Sequence, residues 1–221
     1  VQPNPYAAPQ TEPVPVTRRA RSAATFGTIA LAAIGLQLVV RWLLAIVDLS
    51  ALSAIEARRE PRAWLLLEKP LLVVLKLLTL AAVVLFLVWM YRASRNVHAR
   101  GRAGMTVSPW GAVAWFFVPL GNLFMPYVAM SGLSRASAPR SGAESRDGGF
   151  PPGSVLVWWL LLVVSYAVTL AVQYALRNED AATRVHWDIA AIALATGSAV
   201  ALLFVVRRVS RDQARWLGKR R

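Results

Sequence analysis

The chain has 221 residues, 57% of them hydrophobic and only 16% charged, with a net charge of +14. That balance, with the apolar residues in long blocks, excludes an ordinary soluble domain. The absence of cysteine excludes disulfides, iron–sulfur clusters and thiol nucleophiles. The basic residues flank apolar blocks without a nucleic-acid-reading pattern, so no nucleic acid partner is expected.

Val1–Val16 contains five prolines and few apolar side chains, and reads as a disordered tail. Arg18, Arg19 and Arg21 then precede the first apolar block, Phe26–Val47. No small-residue cleavage site closes that block, so a retained signal-anchor helix is expected. Three further blocks follow, at Leu71–Tyr91, Ser154–Leu176 and Asp188–Val206. Each approaches the roughly 20 residues that a helix needs to cross a bilayer core. Between the first two, Leu49, Leu52 and Ile55 are spaced for one apolar face, predicting a short helix on the outer surface within Leu49–Arg59.

Trp110–Leu133 is long enough to be a fifth span. Charge decides against it. With five crossings, the basic C-terminal tail Arg207–Arg221 would lie outside and the positive-inside rule would be inverted. With Trp110–Leu133 entering and leaving on one side, seventeen of the 25 basic residues become cytoplasmic and six lie outside. The outside is then near neutral, because Asp48, Glu56, Glu60, Glu68, Glu179, Asp180 and Asp188 all fall there. Arg41 and Lys76 remain within spans.

The interrupted segment agrees. Pro119, Gly121 and Pro126 break it, with Asn122 between them; proline removes a backbone donor and clashes with the preceding turn. Broken backbone at membrane depth is tolerated where protein or a watery cavity satisfies it. The expectation is a short helix over Pro109–Val118, a break at Pro119–Asn122, and a second short helix over Leu123–Ser134. The fold class is therefore an all-α integral membrane protein: four transmembrane helices plus one proline-broken re-entrant or interfacial helical element. Residues 1–25 form a cytoplasmic tail, 26–206 the membrane domain and 207–221 a second, basic cytoplasmic tail. Tryptophan prefers the membrane–water interface. This places Trp89, Trp110, Trp158, Trp159 and Trp216 at the cytoplasmic face, with Trp42, Trp64 and Trp187 near the outer one.

The stretch Trp89-Met-Tyr-Arg-Ala-Ser-Arg-Asn96, followed by Val118-Pro-Leu-Gly-Asn-Leu-Phe-Met-Pro-Tyr127 and Ser134-Arg-Ala-Ser137, resembles a bacterial membrane family. That family, domain of unknown function 4328, is mostly actinobacterial. The resemblance covers roughly Phe26 to Val206 and is specific over Trp89–Ser137. Phe124-Met125 stands where the family often has an aromatic–basic pair, and Ser134 where it often has Trp. The resemblance implies a fold and a membrane location but no activity.

Two roles are open for the motif residues Arg92, Arg95, Asn96, Pro119, Asn122, Pro126 and Tyr127. In one, the Arg and Asn side chains bond carbonyls freed at the prolines, Asn122 caps the second short helix and Tyr127 sits at the interface. In the other, Arg92 and Arg95 form a cytoplasm-facing pocket for an anionic lipid head group. Arg41, Asp48, Lys76 and Asp188 are expected to form an interfacial charge cluster, the two cations snorkelling outward. Ser165, Thr169 and Gln173 form one polar stripe and Ala193, Gly197 and Ala201 a small-residue stripe, predicting that these helices pack on each other or on the rest of the bundle, with homodimerisation through Gly197 as the alternative.

His98 and His186 lack companions at ligand spacing, and no phosphate loop or nucleophile elbow occurs. No enzyme activity, metal or cofactor is expected. The expected partners are the bilayer, including anionic lipids, and an unknown membrane protein or a second copy of the chain. A non-catalytic role in scaffolding, envelope maintenance or lipid interaction is the leading reading, with small-molecule or lipid translocation as the alternative.

Overall fold

The computed structural model describes residues 16–57, 66, 68–101, 104–138 and 153–218. The tail 1–15, most of the outer loop with Trp64, the segment 139–152 and the side chain of Trp216 lie outside the described residues.

All regular structure among the described residues is helical: α1 (Val16–Glu56), α2 (Glu68–His98), α3 (Gly111–Ala114), α4 (Met125–Ser137), α5 (Gly153–Tyr174) and α6 (Ala181–Gly218). Two 3₁₀ turns, Trp115–Phe117 and Gly121–Leu123, join α3 to α4. Four helices are long and apolar enough to cross a membrane: Ala23–Ala54 within α1, α2, α5 and Ala181–Arg215 within α6. Their lipid-facing surfaces are correspondingly greasy, with Leu36, Val39, Leu77, Leu80 and Val84 all exposed.

The helices outrun the predicted spans. α1 begins at Val16 and continues to Glu56 without interruption. The separate surface helix expected within Leu49–Arg59 is therefore the last turns of α1, and helix extends ten residues into the expected N-terminal tail. No proline or glycine lies between Leu36 and Glu56 to stop it. α6 likewise runs through the basic segment to Gly218. Its start is fixed by Asp180, whose carboxylate accepts hydrogen bonds from the Thr183 amide at 2.9 Å and the Thr183 hydroxyl at 2.7 Å. This is an N-cap, whereas the charge count uses Asp180 only as one of the outer acids.

α1 packs extensively on α2 and α6, and α5 on α6. The order across the bundle is thus α2, α1, α6, α5. Close approach needs small residues: a Cβ on Gly27 would meet the Trp89 ring at 2.9 Å and Val206 at 3.0 Å, and one on Gly197 would meet Leu161 at 3.2 Å. The predicted α5–α6 pairing is present, but the hydroxyl stripe does not stitch it. Ser165 and Thr169 bond carbonyls of their own helix, whereas Ser198 donates across to the Trp158 carbonyl at 3.1 Å.

The outer helices α2 and α5 do not pack along each other, although their Phe86 and Trp158 rings approach to 6.3 Å. α4 fills the gap, touching α2, α5 and α6. Around it lies one apolar core of Phe86, Trp89, Met90, Met130, Leu133, Val155, Trp158, Leu202, Val205 and Val209. Trp89 and Trp158 are fully buried there, so neither serves the interfacial belt predicted for it. Trp110 stays exposed against Tyr91, and Trp42 and Trp187 are exposed near the opposite end.

Candidate functional site

The segment most expected to carry function is the broken element, and its geometry follows from its prolines. Val118 is extended (φ −93°, ψ 114°), the conformation that a following proline favours, and this ends the turn Trp115–Phe117. The chain reverses over Pro119–Leu120. The Trp115 ring then lies on Gly121, where a Cβ would stand 2.6 Å from it. Pro126 falls in the first turn of α4, a position whose amide has no helical acceptor anyway.

That placement corrects one expectation. Pro126 frees no carbonyl, and the Val118 carbonyl near Pro119 is taken by the Asn122 amide at 2.7 Å. No Arg or Asn side chain is needed there. Asn122 does not cap α4: the cap position is Phe124, without a side-chain hydrogen bond, and Asn122 is exposed. Arg92 instead stacks over the Phe26 ring at 4.2 Å, tying α2 to α1. Arg95 is exposed. Tyr127 packs on Trp159, with ring centroids 5.6 Å apart.

Of the predicted motif, Asn96 alone enters a buried polar network, and its partner was not foreseen. Asn96 donates to the Gln213 side-chain oxygen at 3.2 Å. The Gln213 amide donates to the Ala93 carbonyl and to the Ser137 hydroxyl, both at 3.1 Å. One buried glutamine therefore joins α2, α4 and α6. The signal was present in the sequence: Leu202, Val205 and Val209 recur at helical spacing, and Gln213 is the next position on that face. Ser94, Ser131 and Ser134 are buried in the same end of the bundle. Beside it, Asp212 forms long ion pairs with Arg208 and Arg215 at 3.9 and 3.7 Å.

The outward side of the element is different. Phe117, Leu120 and Phe124 are strongly exposed, and Leu120 is the most open of them at 79%. A polar latch thus holds α4, while an apolar tip projects from the 3₁₀ turns.

The four residues of the predicted charge cluster lie at the other end. Asp188 is within electrostatic range of Arg41 and Arg184, and Asp48 of Glu68 and Asp188. Arg41 also lines a groove between α1 and α2 with Lys76, Gln37 and Thr79, of about 480 Å³. Among the described residues no group of three or more His, Asp or Glu side chains could hold a metal ion.

The family described as Domain of unknown function (DUF4328) matches residues 70–211. The chain belongs to the DUF4328 family. The DUF4328 match begins at α2, so α1 lies outside it, whereas the resemblance read from sequence started at Phe26. It takes in the broken element and nearly all of α6, but stops two residues short of Gln213. No curated protein and no solved structure matches the chain.

Proposed function

We propose that this protein is a non-catalytic component of the cell membrane, with both termini in the cytoplasm. It acts by holding the broken element in the cytoplasmic leaflet, as a scaffold or lipid-contacting device of the envelope. The observation that carries this reading is the pairing of the Gln213 latch with the apolar tip Phe117–Leu120–Phe124. An element secured by polar bonds on one side and greasy on the other suits a leaflet boundary, where irregular backbone is satisfied by protein. The Arg-rich ends support the same orientation: Phe26 beside Arg92, and Asn96 beside Gln213, bring the starts and ends of the spans to one side.

Translocation is the weaker reading. Phe86, Trp89, Trp158 and Leu202 belong to one buried apolar cluster, and none of them carries a charge or carboxyl that could pass an ion or proton.

The native chain has no cysteine, so single cysteines report without background. Cysteines at Ser108 and Ala138 are expected to react with a membrane-impermeant maleimide only after permeabilisation. A fluorophore at Leu120 is expected to be quenched by lipids labelled high in the acyl chain. Reaction of Ser108 and Ala138 from opposite sides would make the element a fifth span. Solute uptake or lipid scrambling above empty vesicles would replace the scaffold reading with translocation.

A further inference from the structure

The groove between α1 and α2 combines features that the scaffold reading leaves unused. Two cations, Arg41 and Lys76, line it together with the polar side chains of Gln37 and Thr79, and leucine and valine side chains of α2 complete its wall. Among the described residues neither cation has an acid within 4.0 Å. Thr79 spends its hydroxyl on the Leu75 carbonyl; Gln37 makes no side-chain hydrogen bond among the described residues.

Depth gives the groove its meaning. Phe26 and Arg92 are at one level, because the guanidinium stacks on the ring. From Phe26 to Arg41 the helix rises about 22 Å, and from Arg92 back to Lys76 about 24 Å. The two cations therefore stand at the same height on adjacent helices. With the Phe26–Arg92 layer at one edge of a hydrocarbon core about 30 Å thick, their backbones fall roughly 6–8 Å short of the other edge. Long basic side chains cover that distance by extending towards the interface, where phospholipid phosphates lie. Asp188 lies within electrostatic range of both Arg41 and Arg184 of α6 and so offsets part of the Arg41 charge, but it shares that attraction between two cations, and no acid lines the groove itself.

We propose that this groove binds the phosphate of an anionic phospholipid in the outer leaflet. Arg41 offers a fork of donors, Lys76 a point charge and Gln37 an amide donor, and the acyl chains lie along the apolar wall of α2. The site is at the end of the bundle opposite the broken element, so it stands or falls independently of the latch and tip.

The test uses the full chain in nanodiscs and native mass spectrometry. Phosphatidylglycerol is the probe, with phosphatidylcholine and inorganic phosphate as comparisons. Phosphatidylglycerol is expected to be retained in preference to phosphatidylcholine and to raise the unfolding temperature, while inorganic phosphate does neither. R41Q/K76Q is expected to lose about tenfold in retention, since each basic residue near an anionic surface contributes modestly. R41K/K76R keeps most of it, and R208Q/R211Q at the opposite end is unchanged. Lys76 is exposed, so K76Q alone preserves packing and is expected to show about a threefold loss. Retention by R41Q/K76Q or K76Q equal to the parent protein overturns the proposal. So does equal retention of phosphatidylcholine, or saturation of the site by inorganic phosphate.

Discussion

Gln213 accepts a hydrogen bond from Asn96, 117 positions earlier in the chain, while its own amide reaches the carbonyl of Ala93 on the same partner helix. The side chain thus grips α2 at two points one turn apart, and its third bond, to Ser137, brings in the end of α4.

Removing that grip leaves buried polar groups without partners. Q213A and N96A are each expected to cost about 1–3 kcal/mol. The double variant should cost less than the sum, because the second substitution removes a group that the first had already orphaned. Thermal unfolding of the purified protein in detergent measures all three, and full additivity would deny the coupling.

Two glycines of α1 should respond in opposite ways. At Gly27 an added Cβ would meet the buried Trp89 ring and Val206, whereas at Gly35 it would meet nothing within 4 Å. G27A is expected to destabilise by about 1–3 kcal/mol through overpacking. G35A is expected to be neutral or stabilising by up to about 1 kcal/mol, through helix propensity. Unfolding midpoints of the two variants decide this, and loss of stability in G35A would contradict the packing described.

The N-cap of α6 predicts a pH dependence. Hydrogen bonds from the Thr183 amide and hydroxyl hold the Asp180 carboxyl below its usual range, because they favour the charged form. A lowered folded-state value means that this contribution is present above the unfolded value, near 3.9. It is lost as pH falls through the folded one. Protection of the first-turn amides of α6, measured relative to the intrinsic exchange rate at each pH, should therefore fall below about pH 4. D180A should exchange fast at neutral pH without that acid step, and D180N, which keeps an acceptor, should lie between.

The 3₁₀ turns offer a local test. The Trp115 ring occupies the space where a Gly121 side chain would sit. G121V is expected to displace the ring and alter tryptophan emission without unfolding the four long helices, because neither turn contributes a fully buried side chain. Fluorescence and circular dichroism recorded together check the two halves of that expectation.

The four spans and the break were legible because they rest on coarse signals. Long apolar runs mark the helices, and Pro119 favours extended backbone at Val118. The charge argument also chose four crossings, from the distribution of basic and acidic residues along the chain. What escaped depended on which face a residue presents. Trp89 and Trp158 read as belt residues because tryptophan is common at interfaces, yet Gly27 opens a space that Trp89 fills. Gln213 lies among the arginines of the tail that the charge count used and drew no reading of its own, although Val205 and Val209 already set the face it extends. Asn122 looked like a cap beside a helix start, but the chain turns once more before Phe124, and the helix begins without it.

Because the latch on α4 is supplied by α6, the broken element is synthesised long before its fastening exists. A nascent chain that has emerged only as far as α5 holds the Trp110–Ser137 segment between neighbours that cannot yet secure it. Maturation of the bundle must therefore wait for the last helix to leave the ribosome. Premature termination between Val206, where the last apolar block ends, and Gln213 would leave every apolar block present and the closure missing.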